Sequence, residues 1–352
     1  MKIKALSRSA ASQQAPGSGV VRQPRNLDPS QHPFERAREY TRALNAVKME
    51  RLFAAPFLGQ MGEGHVDGVY TMAKDPGSLQ RFASGSGDGV VKVWDLTTRG
   101  EVWNTQAHEN IVKGTSILAS TAIDRSIILY DLRTSSPLSK LVLKLASNAI
   151  SWNPMEAFNF AVANEDHNVY MFDMRKMDRA LNVLKDHVAA VMDVDFSPTG
   201  EELVTASYDK TVRLWNRATG HSRDIYHTQR MQRVFSAKFT PDNKYILSGS
   251  DDGNIRLWRA NASERSGIKS ARQRTKLEYD QALVKRYSHM PDIKRIKRQR
   301  HVPRTIKKAR EIKREELSAI KRREENVRKH SKKSTLAPRQ SERAKMILTN
   351  EK

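Results

Sequence analysis

The amino-acid sequence predicts an all-β propeller, a wheel of four-stranded blades, with a helix before it and a basic helical extension after it. Five segments share one ending: VKVWDL at 91–96, IILYDL at 127–132, VYMFDM at 169–174, VRLWNR at 212–217 and IRLWRA at 255–260. Each is a short alternating apolar run that closes on an aromatic, the pattern of a half-buried strand. The aromatics Trp94, Tyr130, Phe172, Trp215 and Trp258 are spaced by 36, 42, 43 and 43 residues, near the ~40–45-residue period of a propeller blade. An aspartate stands six residues before each aromatic, at Asp88, Asp124, Asp166, Asp209 and Asp252.

Two further marks belong to the same repeat. Pro76, Pro154, Pro198 and Pro241 each precede an aspartate of the series by 11 or 12 residues. FSPTG at 196–200 and FTPDN at 239–243 read as hairpin turns between strands. Histidines open four units, at His65, His108, His187 and His227.

Charge divides the chain in three. Of its 352 residues, 1–60 carry 10 basic and 4 acidic side chains, 61–260 carry 23 and 24, and 261–352 carry 29 and 11. A neutral wheel at 61–260 is therefore flanked by a basic N-terminal extension at 1–60 and a basic C-terminal domain at 261–352. After Trp258 the only aromatics are Tyr279 and Tyr287, so the last third has little with which to build a core of its own. Without cysteine there is no disulfide framework and no thiolate metal site. No apolar run of about 18 residues is present, and MKIKALSRSAASQQ lacks the apolar stretch of a secretory signal. Membrane insertion and secretion are not expected.

One unit is short. His65 to Asp88 spans 23 residues and His187 to Asp209 spans 22, but His108 to Asp124 spans only 16. The deficit falls on the innermost strand and its proline turn, where Lys113 and Gly114 stand. A blade cannot lose that strand cheaply, because it lines the central channel. Gly114 and Thr115 are therefore not expected to be neighbours in the intact protein.

The flanks carry helical signals. Pro33 opens an expected helix over 34–53 with Tyr40, Leu44, Val47 and Leu52 on one face, either packing on the wheel's side or binding a partner. Helices are expected over 266–288 and 304–330, split by Pro291 and Pro303. The second has a narrow apolar stripe of Ile306, Ala309, Ile312, Leu317 and Ile320, too little to stand alone. Two basic clusters mark candidate contacts to RNA or a ribonucleoprotein: Lys294, Arg295, Lys297, Arg298 and Arg300, then Arg304, Lys307, Lys308, Arg310, Lys313 and Arg314. Phosphate contacts of that kind bind tightly, weaken with salt and read little sequence. Such runs also serve as nuclear localisation signals, and both readings stand.

The repeat resembles the WD-repeat family, whose propellers usually have seven blades. About five are visible here, so the resemblance implies that the gap at 114/115 would hold about two. In that family a His, a Ser or Thr, an Asp and a Trp of one blade form a buried hydrogen-bonded network. The resemblance implies such networks at His65, Asp88 and Trp94 with Ser84 or Ser86, and at His187, Asp209 and Trp215 with Thr205 or Ser207. His227, Asp252 and Trp258 occupy the corresponding places of a third blade. A Ser, a His and an Asp together can signal a hydrolase, but a nucleophile would occur once, whereas this trio recurs blade by blade. No P-loop, G-x-S-x-G or HExxH pattern occurs. Neither enzyme activity nor a cofactor or metal is expected.

The non-repeat stretches are more specific. MKIKALSR, RNLDPSQHPFERAREYTRALNAVKMERLFAAPF, SWNPMEAFNFAVANEDHNVYMFDMR and the run from NIRLWRANASER through HMPDIKRIKRQRHVPRTI resemble the Sof (suppressor of fibrillarin) family. That resemblance covers nearly the whole chain. It implies a nucleolar component of the small-subunit processome, the 90S pre-ribosome assembled around U3 small nucleolar RNA, with pre-rRNA and other processome proteins as partners. A second class, a substrate receptor of a cullin-RING ubiquitin ligase, is suggested by Trp-Asp-x-Arg-like endings at Tyr130–Arg133 and Phe172–Arg175. There Asp131, Arg133, Asp173 and Arg175 would meet the ligase adaptor. A generic signalling scaffold would leave the basic C-terminal domain unexplained.

Overall fold

The computed structural model describes residues 34–75, 78–106, 119–121, 124–130, 137–264, 267, 269–332 and 341–351. The chain forms two compact units, one from residues 1–55 with 261–299 and one from 56–260 with 300–352.

Among the described residues, the second unit holds five four-stranded antiparallel sheets. Strand β1 (Phe57–Gln60) leaves the start of the unit to join the last sheet. The first sheet is β2 (Val69–Lys74), β3 (Arg81–Ser86), β4 (Val90–Asp95) and β5 (Gly100–Gln106). The second contains β6 (Ala119–Thr121), β7 (Ser126–Tyr130) and β8 (Pro137–Leu143). The third is β9 (Ser147–Trp152), β10 (Asn159–Asn164), β11 (Val169–Asp173) and β12 (Asn182–Leu184). The fourth is β13 (Val191–Phe196), β14 (Glu202–Ser207), β15 (Val212–Asn216) and β16 (Ser222–Tyr226). The last is β17 (Val234–Phe239), β18 (Tyr245–Ser250) and β19 (Ile255–Arg259), with β1 paired to β19. The N-terminal strand thus completes the C-terminal blade, so both ends of the wheel share one sheet.

The recurring aspartate now has a cause. In all five sheets its carboxylate accepts the backbone N–H two residues on: Val90 to Asp88 at 3.1 Å, Ser126 to Asp124 at 2.9 Å, Asn168 to Asp166 at 3.0 Å, Thr211 to Asp209 at 3.0 Å and Asn254 to Asp252 at 3.4 Å. This side-chain turn satisfies a donor at the tightest point of each hairpin. The residue between is left-handed every time: Gly89, Arg125, His167, Lys210 and Gly253 have φ of 81°, 68°, 73°, 63° and 74°. The repeated aromatic lies on the third strand of its blade, where Trp94, Phe172, Trp215 and Trp258 are fully buried between sheets.

Neighbouring sheets pack along their inner strands, β6 against β9, β9 against β13, β13 against β17 and β17 against β2. Among the described residues, no strand pair joins the first and second sheets in this way, although they are consecutive in the chain. The second sheet is also unusual in its order, β20-β8-β7-β6, where β20 (Ile347–Glu351) is the C-terminal strand. Among the described residues it has no strand inside β6, and β20 adds one outside β8. Residues 107–118, with His108 and the 114/115 junction, lie outside the described residues, as does Pro76.

The first unit is helical: α1 (Glu35–Leu52), α2 (Ala271–Arg286) and α3 (Pro291–Arg298). Helix α4 (Arg304–His330) belongs to the propeller unit. Ser270 caps α2 with a reciprocal box, accepting from the Gln273 N–H while the Gln273 side chain accepts from the Ser270 N–H. Pro291 starts α3 rather than merely breaking a helix, because its missing N–H is unneeded at the first turn. Of the face expected on α1, Val47 is buried together with Ala43, and Tyr40 and Leu44 pack against them, while Leu52 is 74% exposed. Ala43 and Val47 pack with Leu283, Val284 and Ile293 of α2 and α3. Among the described residues, no helix is long and apolar enough to cross a membrane.

Candidate nucleic-acid interface

In the helical unit a small core is fastened by polar bonds. The carboxylate of Glu39, itself 3% exposed, accepts from Arg286 Nη1 at 3.0 Å and from the Tyr287 hydroxyl at 2.9 Å. Burial, and then Glu39, push the Tyr287 phenol above its usual range. Tyr40 donates to Asp292 at 2.9 Å, and Arg51 Nη2 donates to the Lys297 carbonyl at 2.9 Å. These contacts orient α3 with Ile293 inward, which turns Lys294, Arg295 and Arg298 outward and leaves Lys297 half-buried. Arg300 is half-buried in the segment that leads to α4.

The second cluster divides by helix face. Ile306 is buried. One turn on, Arg310 Nη2 donates to Asp186 Oδ1 at 3.2 Å, and Lys313 Nζ donates to the His187 carbonyl at 3.0 Å. Burial lowers the Lys313 pKa despite the nearby aspartates. Arg310 and Lys313, expected to meet nucleic acid, thus also bond to the propeller unit, because their spacing from Ile306 puts them on one face, and the Arg310 side chain stays 55% exposed. Arg304, Lys307, Lys308 and Arg314 are exposed.

The blade networks differ from one another. In the fourth sheet the set is complete. Trp215 Nε1–H donates to Thr205 Oγ1 at 2.8 Å, the hydroxyl lies 2.7 Å from His187 Nε2, and His187 Nδ1 lies 2.7 Å from Asp209 Oδ2. Burial lowers the His187 pKa and keeps the ring neutral, so its one proton sits on Nδ1 facing Asp209. Burial would raise the Asp209 carboxyl, but His187, Arg213 and Thr211 together hold it well below the usual carboxylate range. In the first sheet Ser84 is the bridging hydroxyl, 2.6 Å from His65 Nε2 and 2.7 Å from Trp94 Nε1. Asp88 does not reach His65; it binds Ser86 and its own turn, and His65 Nδ1 has no hydrogen-bond partner. In the last sheet Trp258 donates to Ser248 at 2.8 Å, but His227 is absent from the set. His227 instead stacks on His301, with ring nitrogens 3.2 Å apart, while Arg256 occupies Asp252 and Ser250. Arg256 and Arg213, each only 1% exposed, could have been noticed as the basic residue two before the tryptophan. Asp186 could not, since it stands where other units have an uncharged residue.

Arg175 forms a two-pronged pair with Asp173, at 3.0 and 2.9 Å, and its guanidinium lies over the Phe158 ring at 3.9 Å. Asp131 and Arg133 lie outside the described residues. No group of three or more potential metal ligands occurs among the described residues.

Recurrent blades closed by an N-terminal strand, with Trp–hydroxyl–His links inside them, define a WD-repeat propeller protein. A model of the WD domain, G-beta repeat, matches residues 58–95, 179–216 and 219–259, and a model of the Sof1-like domain matches 260–347. The chain is 45% identical to protein SOF1 of Saccharomyces cerevisiae, over 99% of this chain and 94% of that one. It is 48% identical to protein sof1 of Schizosaccharomyces pombe and 38% identical to DDB1- and CUL4-associated factor 13 of Danio rerio, each over 99% of both chains. The chain belongs to the Sof1 family. The alignments to the two yeast proteins extend over 465 and 435 residues against 352 here, so at least 113 and 83 residues inside those relatives have no counterpart in this chain.

Proposed function

We infer that this protein is a non-catalytic assembly factor of the nucleolar small-subunit processome, acting in the U3-associated 90S pre-ribosome during pre-rRNA processing and small-subunit maturation. The observation that carries the reading is the division of labour in a Sof1-family chain. A charge-balanced wheel is flanked by helices whose cations Lys294, Arg295, Arg298, Arg304, Lys307, Lys308 and Arg314 project into solvent. Such a protein docks other proteins on its blades and phosphates on its arms, and needs no reactive group. In a gradient of nuclear extract the tagged protein is expected with large pre-ribosomal particles. Pull-down at moderate salt is expected to recover pre-rRNA and U3-particle proteins, with loss on RNase treatment. Sedimentation only as free protein would refute the reading.

A second reading has its own observation. The Danio rerio relative is named for association with DDB1 and CUL4, and here the Arg175 side chain, 61% exposed, is held rigidly by Asp173. Under that reading Arg175→Ala abolishes co-precipitation of a DDB1-type adaptor without altering sedimentation. Recovery of the adaptor regardless of Arg175 would sink it.

A further inference from the structure

We propose that one edge of α4 is a rail for the phosphate backbone of a double-stranded RNA stem, an inference that rests on the RNA-contact reading above and names its target. Helix α4 has 27 residues, of which Ile306 alone is buried. Arg310 and Lys313 fasten its start to the propeller, and every residue from Arg314 to His330 is exposed. The propeller unit thus holds one end of a helix whose remainder has little apolar reason to exist unless something charged lies along it.

The sequence shows where. Lys307, Arg314, Lys321 and Arg328 recur every seven residues. Seven residues make nearly two turns, with a drift of only about 20°, so the four share one edge. At 1.5 Å per residue they stand about 10.5 Å apart and span about 32 Å. Each of the six other heptad positions of α4 includes an uncharged or acidic residue, so this ladder is the one uniformly cationic edge. Lys308, Arg322 and Lys329 stand on the next row. The ladder lies about 100° round the helix from Ile306, beside the anchored face and not beneath it.

The chemistry favours a duplex. Binding of single strands relies on bases stacked on aromatic rings, and residues 304–332 contain no Phe, Tyr or Trp. A straight row of cations at fixed intervals matches an equally stiff row of phosphates, and A-form RNA is recognised through shape and backbone. Each contact releases counterions, so the rail works through affinity and salt dependence, without reading bases.

The test uses the full chain, with a roughly 20-base-pair RNA duplex and an oligouridine of similar length as probes. Binding is followed by anisotropy between about 50 and 200 mM salt. The wild type is expected to prefer the duplex. The variant Lys307→Gln/Arg314→Gln/Lys321→Gln/Arg328→Gln is expected to bind at least about tenfold more weakly, with a log–log salt slope shallower by about four, one per lost phosphate contact. Thermal melting verifies the fold of the variant. Lys321→Glu alone supplies a milder second case, with a slope change of about one or more. If the wild type binds the duplex and the variants keep its affinity and slope, the rail is wrong while RNA contact through α3 survives. If the wild type binds neither probe, the RNA-contact reading itself fails. Equal affinity for oligouridine refutes the duplex assignment. Loss of an RNase-resistant acidic protein from the variant, with duplex affinity intact, makes the edge a protein surface.

Discussion

Replacing Thr205 with valine tests whether the blade network is a set of satisfied buried groups. The substitution keeps the branched shape and volume and deletes only the hydroxyl that joins Trp215 Nε1 at 2.8 Å to His187 Nε2 at 2.7 Å. Thr205 and Trp215 are fully buried and His187 is 1% exposed, so water does not replace the lost oxygen. Two polar groups become orphaned, each at about 1–3 kcal/mol, for a loss of about 2–6 kcal/mol. In the last blade Ser248→Ala orphans Trp258 alone, because His227 has turned to His301, and is expected to cost about 1–3 kcal/mol. Ser84→Ala orphans both His65 and Trp94 and should resemble Thr205→Val. Urea unfolding followed by tryptophan fluorescence gives the ranking from midpoints at constant slope. If Thr205→Val loses no more than Ser248→Ala, the hydroxyl is not a bridge.

Other expectations follow from single features. Burial lowers the pKa of His65, His167, His187 and His227 from the usual 6.5. The unfolded chain therefore takes up protons first, and stability that is full above about pH 6.5 falls with pH below it, by up to about 1.4 kcal/mol per unit for each ring. Asp193 and Glu202, raised by burial, work in the opposite sense from lower starting values. An unfolding midpoint as high at pH 5.5 as at 7.5 would contradict the histidine account. Gly253→Ala is expected to lower the melting temperature sharply, since φ is +74° and the new methyl would overlap the His65 carbonyl oxygen; an unchanged melt counts against that seam. Removing residues 341–352 is expected to speed amide exchange at Lys144 and Ala180, which donate to Met346 and Arg343 carbonyls at 3.0 Å each, and to promote association through the bared β8 edge. Exchange at those amides unaffected by the truncation would mean that β20 does not hold the edge. Finally, transcript sequencing across codons 114 and 115 is expected to reveal an intact coding sequence about two blades longer; an uninterrupted junction in every transcript would refute this.

The wheel was legible because its signals are local and repeated. An aspartate that closes a hairpin and a tryptophan that fills the gap between sheets act within one blade, so their spacing survives in the sequence. The long-range partners were not legible. Nothing local told that His227 would leave its blade for His301, or that Asp88 would stop at Ser86. The basic residues of α4 look alike in the sequence. Only the position of Ile306 and the presence of Asp186 on another segment bring Arg310 and Lys313 to bond with the propeller unit. Strand β20 was hidden for the same reason: ILTNE is short and takes its partner more than 200 residues away.

The second sheet is where these threads meet. The unit that opens at His108 spans 16 residues to its aspartate against 22 or 23 in the complete units, which leaves little chain for an inner strand and its turn. Five sheets follow one another through shared inner strands, but the step from the first to the second lacks such a pair among the described residues. At least 83 residues found inside the fission-yeast relative have no match in this chain, close to two periods of 43. The pairing of β1 with β19 shows that the last blade is built to close a ring. We propose that whole blades are missing at the 114/115 junction, since loss of scattered residues would have disturbed the turns and the aspartate spacing in every blade.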